Sequence, residues 1–109
     1  MARRAVEVAS DKQAVDIVML DIRGVSDFAD YFVICSGETE RQIGTLRDEI
    51  DQALAKEGAR LRQLEGSVDS GWVLLDFVDV IVHIFAPYER EYYQLEKLWS
   101  KAMPVVRIQ

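Results

Sequence analysis

The chain has 109 residues, half of them hydrophobic, and a formal net charge of -6. This length suits one compact domain with one core and is too short for two. The acidic balance argues against a general surface for nucleic-acid phosphates, which needs clustered Lys and Arg, and is compatible with a basic protein partner, although it also simply favours solubility.

The first half of the chain alternates helices and strands. Ala and Val at helical spacing predict a short helix over residues 2–14, and the β-branched residues of DIVMLDIRG (16–24) predict a first strand. The apolar run YFVICSG (31–37) predicts a second strand, covered on both faces. A stripe of Ile and Leu over residues 38–58 predicts the clearest helix, with a capping box that begins at Thr39.

The second half predicts three more strands and a last helix. ARLRQLEG (59–66) is typical of an edge strand because its apolar residues are sparse and its charge is high, and WVLLDFVDVIVHIF (72–85) predicts two further strands. PYEREYYQLEKLWSKAM starts with Pro87 and predicts one C-terminal helix over about 88–103. The order α-β-β-α-β-β-β-α predicts a single α/β domain over residues 1–109, with a mixed sheet of about five strands.

The stretch 72–85 is interpreted as two antiparallel strands joined by a tight turn at DFVD (76–79). In that register Trp72 pairs with His83, and the alternation of side chains gives one wholly apolar face that should lie under the helices. The other face mixes an aromatic ring with polar groups, so we expect it at the surface. It carries Trp72, Leu74, Asp76, Asp79, Ile81 and His83.

The polar residues of this mixed face also have ordinary structural interpretations. A lone histidine such as His83 is more often packed or exposed than a metal ligand. Asp76 and Asp79 flank a turn and more often bind its backbone than act as paired carboxylates. Trp72 lies beside charged residues on a half-covered face, which makes it a good binding anchor; stacking of single-stranded RNA on it would lack an accompanying basic groove. No metal or other cofactor is predicted.

Four segments resemble one known family. SDFADYFVICSG, ERQI, WVLLDFVDVIVHIF and YYQLEKLW resemble the Iojap-like family, the ribosomal silencing factors, over about Asp16 to Ala102. The resemblance implies a fold similar to a minimal nucleotidyltransferase domain, and binding to the large ribosomal subunit through its ribosomal protein number fourteen. It also implies that the bound factor blocks joining of the small subunit and damps translation when nutrients are short.

The family's motifs fall on named residues of this chain. The pattern Trp-…-Asp-x-Gly-Asp-Val-x-Val-His places its residues at Trp72, Asp76, Asp79 and His83, and Tyr-x-Leu-Glu-x-Leu-Trp falls on Tyr93, Leu95, Glu96, Leu98 and Trp99. Val78 stands where the family usually has glycine. Positive φ strains a β-branched residue by roughly 1 kcal/mol or more, so either the turn is of another type or the tip of the hairpin is shifted.

The resemblance implies a partner-binding surface. Trp72 and Leu74 would fill apolar hollows on the ribosomal protein, and Asp76, Asp79 and Glu96 would meet its Lys or Arg side chains. Tyr93 and Lys97 would lie at the rim, and His83 completes the predicted set. For Tyr93 and Trp99, packing on the sheet is the alternative.

The nucleotidyltransferase-like fold raises an alternative function, an enzyme that acts on a nucleotide with magnesium. Ser36 and Gly37 end a strand before a helix, as a triphosphate-binding turn would, but Glu38 and Glu40 follow where positive charge is needed and no Asp-x-Asp pair is near. Cys35 alternates with apolar residues and is interpreted as an inert buried thiol. We therefore expect a binding module that acts by obstruction, not an enzyme.

Location and assembly are predicted from simpler features. No apolar run is long enough to span a bilayer, and MARRAVEVASDKQA lacks the apolar core of a secretory signal, which favours the cytoplasm. The lone Cys35 excludes an internal disulfide and a cysteine-cluster zinc site. The edge strand predicted over 59–66 permits a homodimer of the free protein without requiring one.

Overall fold

The computed structural model combines helices and strands and describes residues 1–99 and 101–108, apart from the side chain of Leu98. Ser100 and Gln109, which belong to the predicted domain, lie outside the described residues. The elements in chain order are α1 (Ala2–Asp11), β1 (Val15–Asp21), β2 (Tyr31–Ser36), α2 (Glu40–Lys56), β3 (Gln63–Ser67), a 3-10 turn (Val68–Ser70), β4 (Trp72–Asp76), β5 (Val80–Phe85), α3 (Pro87–Tyr93), α4 (Leu95–Leu98) and β6 (Met103–Ile108).

One mixed sheet of six strands organises the described residues, in the order β3-β4-β5-β2-β1-β6. β2 and β5 are parallel neighbours, and the other neighbouring pairs are antiparallel. The predicted α/β class and mixed sheet are confirmed, with one strand more than expected. β3 forms an edge of the sheet, as predicted from its sparse apolar residues.

Helices α1 and α2 cover one face of the sheet and enclose the larger core. The predicted stripe of α2 points inward, with Ile43, Leu46, Ile50 and Leu54 buried against the sheet. Thr39 caps this helix: its Oγ1 accepts a hydrogen bond from the backbone N–H of Gln42 at 3.1 Å. The apolar face predicted for the 72–85 hairpin lies under the helices, where its Val, Leu and Ile side chains are buried.

The N-terminal helix is shorter than predicted, since α1 ends at Asp11 rather than near residue 14. Gln13 has a left-handed backbone, with φ of 64°, and this conformation does not continue a helix. The Gln42 side-chain amide donates to the carbonyls of Lys12 and Gln13 at 3.1 and 2.9 Å, so α2 stabilises the end of α1.

The prediction of one continuous helix over about 88–103 is wrong. Gln94 adopts a left-handed conformation, with φ of 44° and ψ of 51°, and separates α3 from the single turn α4. β6 then pairs with β1 and includes Met103, which the predicted helix also contains. The helical spacing of the apolar residues continues across this break, whereas Pro104 and the β-branched residues that follow favour a strand.

The hairpin register differs from the prediction by two residues. Trp72 pairs with Phe85, and Leu74 pairs with His83. The chain reverses over a tighter turn, in which the Asp79 N–H donates to the Phe77 carbonyl at 3.0 Å. Because side chains alternate with a period of two, this shift leaves every strand residue on its predicted face.

Val78 occupies the centre of this turn with φ of 76°, a conformation that glycine adopts freely and that strains a β-branched residue. A hydrogen bond from residue 79 to residue 77 around a positive φ defines the rare, strained kind of γ-turn. The Asp76 carboxylate accepts a hydrogen bond from the Val78 N–H at 2.8 Å and so helps to hold the strained residue.

Replacing Val78 with glycine is expected to raise the free energy of unfolding by about 1 kcal/mol, because relief of strain exceeds the added entropy of the unfolded chain. Chemical denaturation measures the change directly. Val25→Gly is the matched control, since Val25 is similarly exposed (41% against 46%) and has no positive φ. We expect the control to lose stability, and an equal loss for Val78→Gly would contradict the strained turn.

Candidate partner-binding surface

The second face of the sheet is not the open surface that the sequence predicted. Val18, Phe32, Ile34, Ile81 and Phe85 form a smaller core there, closed by Leu95 of α4 and by the segment that carries Ile22 and Ala29. Apart from the single turn of α4, this cover consists of irregular segments, which have no periodic pattern to reveal them in the sequence. Among the described residues, the part of this face beside β3 and α3, where Trp72 and Leu74 lie, is partly exposed.

Trp72 lies at the boundary between this core and solvent. Its partly buried ring packs on Phe85 and Tyr93, with centroid separations of 4.9 and 4.6 Å. Its indole N–H donates a hydrogen bond to Nδ1 of His83 at 3.1 Å. The ring is therefore held in one orientation from three sides while an edge remains accessible, which suits an anchor that needs little ordering on binding.

A shallow depression of about 290 Å³ opens beside Trp72. Leu74 and Tyr93 provide its apolar wall, and Glu65 of β3 adds a carboxylate. Tyr93 is 42% exposed and Leu74 is partly exposed, so three of the predicted partner-binding residues meet at one accessible place. Glu65 was not predicted, and its alternation with Leu64 along an edge strand is a signal that could have found it.

His83 does not reach the surface, which corrects the prediction that it contacts a partner. It is 4% exposed, its Nδ1 accepts from the indole, and its Nε2 has no hydrogen-bond partner among the described residues. Burial lowers the pKa of His83 from 6.5 to about 4, so the ring is neutral near pH 7. Its role in this fold is to position Trp72.

The buried His83 should make stability depend on pH. The folded-state pKa lies below the unfolded one, so the unfolded chain takes up a proton first as pH falls. The stability present above pH 6.5 is therefore lost from 6.5 down to about 4. We expect about 2 kcal/mol less stability at pH 5 than at pH 7 from this residue.

His83→Asn tests this dependence because asparagine keeps an acceptor for the indole N–H and does not titrate. Urea denaturation at several pH values should show a shallower loss for the variant than for the unsubstituted protein. Identical slopes between pH 6.5 and 5 would show that His83 is protonated without cost in the folded protein.

Asp76 is also buried, at 5% exposure, and is not free to meet a partner. Its carboxylate accepts from the Val78 N–H and pairs with the Arg62 guanidinium. The interpretation of Asp76 as a residue that binds the turn backbone is confirmed, and its proposed contact with a partner is corrected. Asp79 is exposed, while its backbone carbonyl accepts from the N–H groups of Asp30 and Tyr31.

The Glu96 carboxylate forms an ion pair with the Arg90 guanidinium. The Arg90 Nε donates to both carboxylate oxygens of Glu96 at 3.1 and 3.3 Å, and Nη2 donates to one of them at 2.9 Å. Burial would raise the pKa of Glu96, but the hydrogen bonds and charge of Arg90 outweigh it and hold the pKa below its usual value. Glu96 therefore has a structural role, and its side chain is 27% exposed, so its contact with a partner stays a prediction. Lys97 is exposed beside this pair, on a cleft separate from the Trp72 depression.

Arg90 was missed by the sequence reasoning and joins four elements. Besides Glu96 of α4, its guanidinium reaches the hydroxyl of Ser36 at 2.9 Å and the carbonyl of Asp16 at 2.7 Å. It thereby ties α3 and α4 to the ends of β1 and β2. In the sequence it is one charge within EREYY, and nothing in that pattern separates it from a solvated surface residue.

The nucleotide-binding alternative depends on Ser36, and the position of this residue argues against it. Ser36 is 2% exposed and its hydroxyl is engaged by Arg90, so it does not face a ligand. Burial raises the pKa of the Cys35 thiol to about 12, which leaves it protonated and inert. Within residues 1–99 and 101–108, no three His, Cys, Asp or Glu side chains are grouped to hold a metal ion. In the same part of the chain, no helix has both the length and the apolar character to cross a membrane.

The fold and the site define a small α/β binding module, whose accessible feature is a fixed aromatic ring beside apolar and acidic side chains. Comparison with known proteins identifies its family. The family model described as "Ribosomal silencing factor during starvation" matches residues 1–109, and the chain belongs to this family. The family consists of non-enzymatic regulators that act on the ribosome, so the chain is a regulator and not an enzyme.

Individual relatives agree with this assignment. The ribosomal silencing factor of Bacillus subtilis is 43% identical over 98 residues, which are 90% of this chain and 83% of that one. A crystal structure of a protein from Chromobacterium violaceum superposes with a TM-score of 0.86 at 30% identity, over 91% of this chain and 82% of the other. A mouse protein named "Mitochondrial assembly of ribosomal large subunit protein 1" is 29% identical over 98 residues, 87% of this chain and 43% of that protein.

Proposed function

We propose that this protein represses translation in the cytoplasm by binding the large ribosomal subunit through its ribosomal protein number fourteen. The bound domain then occupies space that the small subunit needs. No turnover is required, because a rigid domain on the joining surface is an obstacle for as long as it stays bound. The mouse relative's name, which refers to the large subunit, supports the choice of subunit.

The observation that carries this proposal is the fixed, partly exposed Trp72 beside Leu74 and Tyr93. Tryptophan and tyrosine are enriched among the residues that dominate binding energy, above all when neighbours hold them in place. The exposed acids Glu65 and Asp79 and the net charge of -6 suit a basic ribosomal protein, which they would attract and orient.

Light scattering during subunit joining tests the proposal. Purified protein, mixed with isolated large subunits before small subunits are added, should reduce the scattering increase that marks joining. Sedimentation of the same mixture should place the protein with large subunits and not with small ones. Normal joining at a saturating concentration of protein would contradict silencing by obstruction.

A homodimer of the free protein stays a prediction, which sedimentation equilibrium would decide.

A further inference from the structure

Helix α3 exposes a row of tyrosines beyond the Trp72 depression. The structure describes all of α3, and the three tyrosines of this helix are exposed. Tyr88 and Tyr92 are 71% and 68% exposed and stack at 6.0 Å with an angle of 16° between their rings. Tyr92 meets Tyr93 edge to face at 5.0 Å, and Tyr93 contacts Trp72. Aromatic contacts therefore run without a break from Trp72 to Tyr88.

Within this tyrosine row (Tyr88, Tyr92 and Tyr93), Tyr88 and Tyr92 contribute little to the fold. Stacked side chains four residues apart add only a few tenths of a kcal/mol to a helix. Large apolar surfaces grouped at the outside of a protein more often mark a contact with another molecule. Tyrosine is well suited to this role because it offers a wide flat face at low entropic cost.

The charges around the row select its partner. Glu89 and Glu91 lie between the tyrosines along α3, and Glu65 lies across the depression. Arg90, the one basic residue of α3, has a side chain that is only 10% exposed and is turned inward to Glu96, Ser36 and Asp16. The charge that α3 presents to solvent is therefore negative.

We propose that the tyrosine row is a second contact patch, which takes Arg or Lys side chains from a basic protein of the large ribosomal subunit. This inference rests on the proposed function and extends the anchor at Trp72 by one helix. A guanidinium group stacks on the face of a tyrosine ring while its edge donates to a nearby carboxylate. Glu89 and Glu91 supply carboxylates on the same helix as the rings. Nucleic acid fits less well, because these carboxylates repel phosphates.

The double substitution Tyr88→Ala with Tyr92→Ala tests the patch. The affinity of the variant for large subunits should fall about tenfold, since two rings that each hold a cation are lost. Tyr88→Phe with Tyr92→Phe keeps both faces and should bind within about twofold of the unsubstituted protein. Both pairs should melt at the unsubstituted temperature, because neither ring is buried.

The outcomes separate this inference from the proposed function. Unchanged affinity of the alanine pair, with binding lost on Trp72→Ala, would overturn the second patch and leave the function standing. Unchanged affinity in both variants would overturn the second patch and the anchor at Trp72, whereas failure of the unsubstituted protein to bind large subunits would overturn the proposed function. Conversion of Glu89 and Glu91 to glutamine should weaken binding and flatten its salt dependence. The glutamine variant could instead bind more tightly, and the alanine pair could lose affinity for protein-free ribosomal RNA. Those two results together would show that the rings stack on RNA bases, and would overturn the proposal that the row binds a basic protein.

Discussion

Replacing Trp72 with alanine is expected to weaken binding to large ribosomal subunits by about 100-fold, equivalent to about 3 kcal/mol. The indole forms part of the apolar lining of the depression, and His83, Phe85 and Tyr93 already hold it in place. Its loss removes both the buried area and the shape that the partner would meet. Binding is measured by titration with labelled protein, and joining of subunits should recover in parallel.

The fold should survive this change, because Trp72 is partly exposed and lies at the edge of the smaller core. We expect a loss of about 1–2 kcal/mol in stability, with the helical and strand signals retained. Trp72→Phe keeps a ring but leaves the His83 acceptor without its donor, so its affinity should be intermediate. Met103→Ala is the matched control, since Met103 is 69% exposed on β6 at the far edge of the sheet. A folded Trp72→Ala protein that binds as tightly as this control would show that the anchor lies elsewhere.

Replacing Arg90 with alanine is expected to lower the free energy of unfolding by about 3 kcal/mol. The side chain is only 10% exposed, and its removal leaves the Glu96 carboxylate, the Ser36 hydroxyl and the Asp16 carbonyl without their donor. For a domain of this size the melting temperature should fall by about 10–20 °C. Because Arg90 joins α3 to the sheet, Tyr93 should also lose its fixed place beside Trp72, and binding should weaken.

Two further variants test whether the lost contacts of Arg90 cause the loss of stability. Arg90→Lys keeps the positive charge but not the several N–H donors of the guanidinium group. Its stability should therefore lie between that of the unsubstituted protein and that of Arg90→Ala. Arg47→Ala removes a guanidinium that pairs with Asp48 in an exposed place, and should change stability by less than about 0.5 kcal/mol. Equal melting temperatures for Arg90→Ala and Arg47→Ala would contradict the structural role of Arg90.

The sequence predicted most of the fold where the signal is local. Helix α2 was found with its inward stripe and its cap at Thr39, because both depend on spacing within one helix. The two faces of the hairpin were assigned correctly even though the register was not, since a shift of two residues preserves the alternation. The strained turn at Val78 sets that register. No local sequence pattern predicts this turn, because valine is unfavourable at its position.

The features that could not be predicted from the sequence depend on contacts between segments that are distant along the chain. β6 pairs with β1 across most of the chain, and the helical spacing before it concealed the break at Gln94. The smaller core is closed by segments without periodicity, so Asp76 and His83 were expected outside when they lie inside. For the site, Trp72, Leu74 and Tyr93 were found from their residue types and the resemblance, whereas Arg90 became visible only through its partners.

Photocrosslinking from position 65, at the exposed rim of the Trp72 depression, tests the docking of this surface most directly. A benzoylphenylalanine at residue 65, irradiated in the presence of large subunits, should attach to ribosomal protein number fourteen. The same group at residue 103, on the opposite edge of the sheet, should give no such product. Attachment from both positions alike, or only to another component of the ribosome from residue 65, would contradict the account.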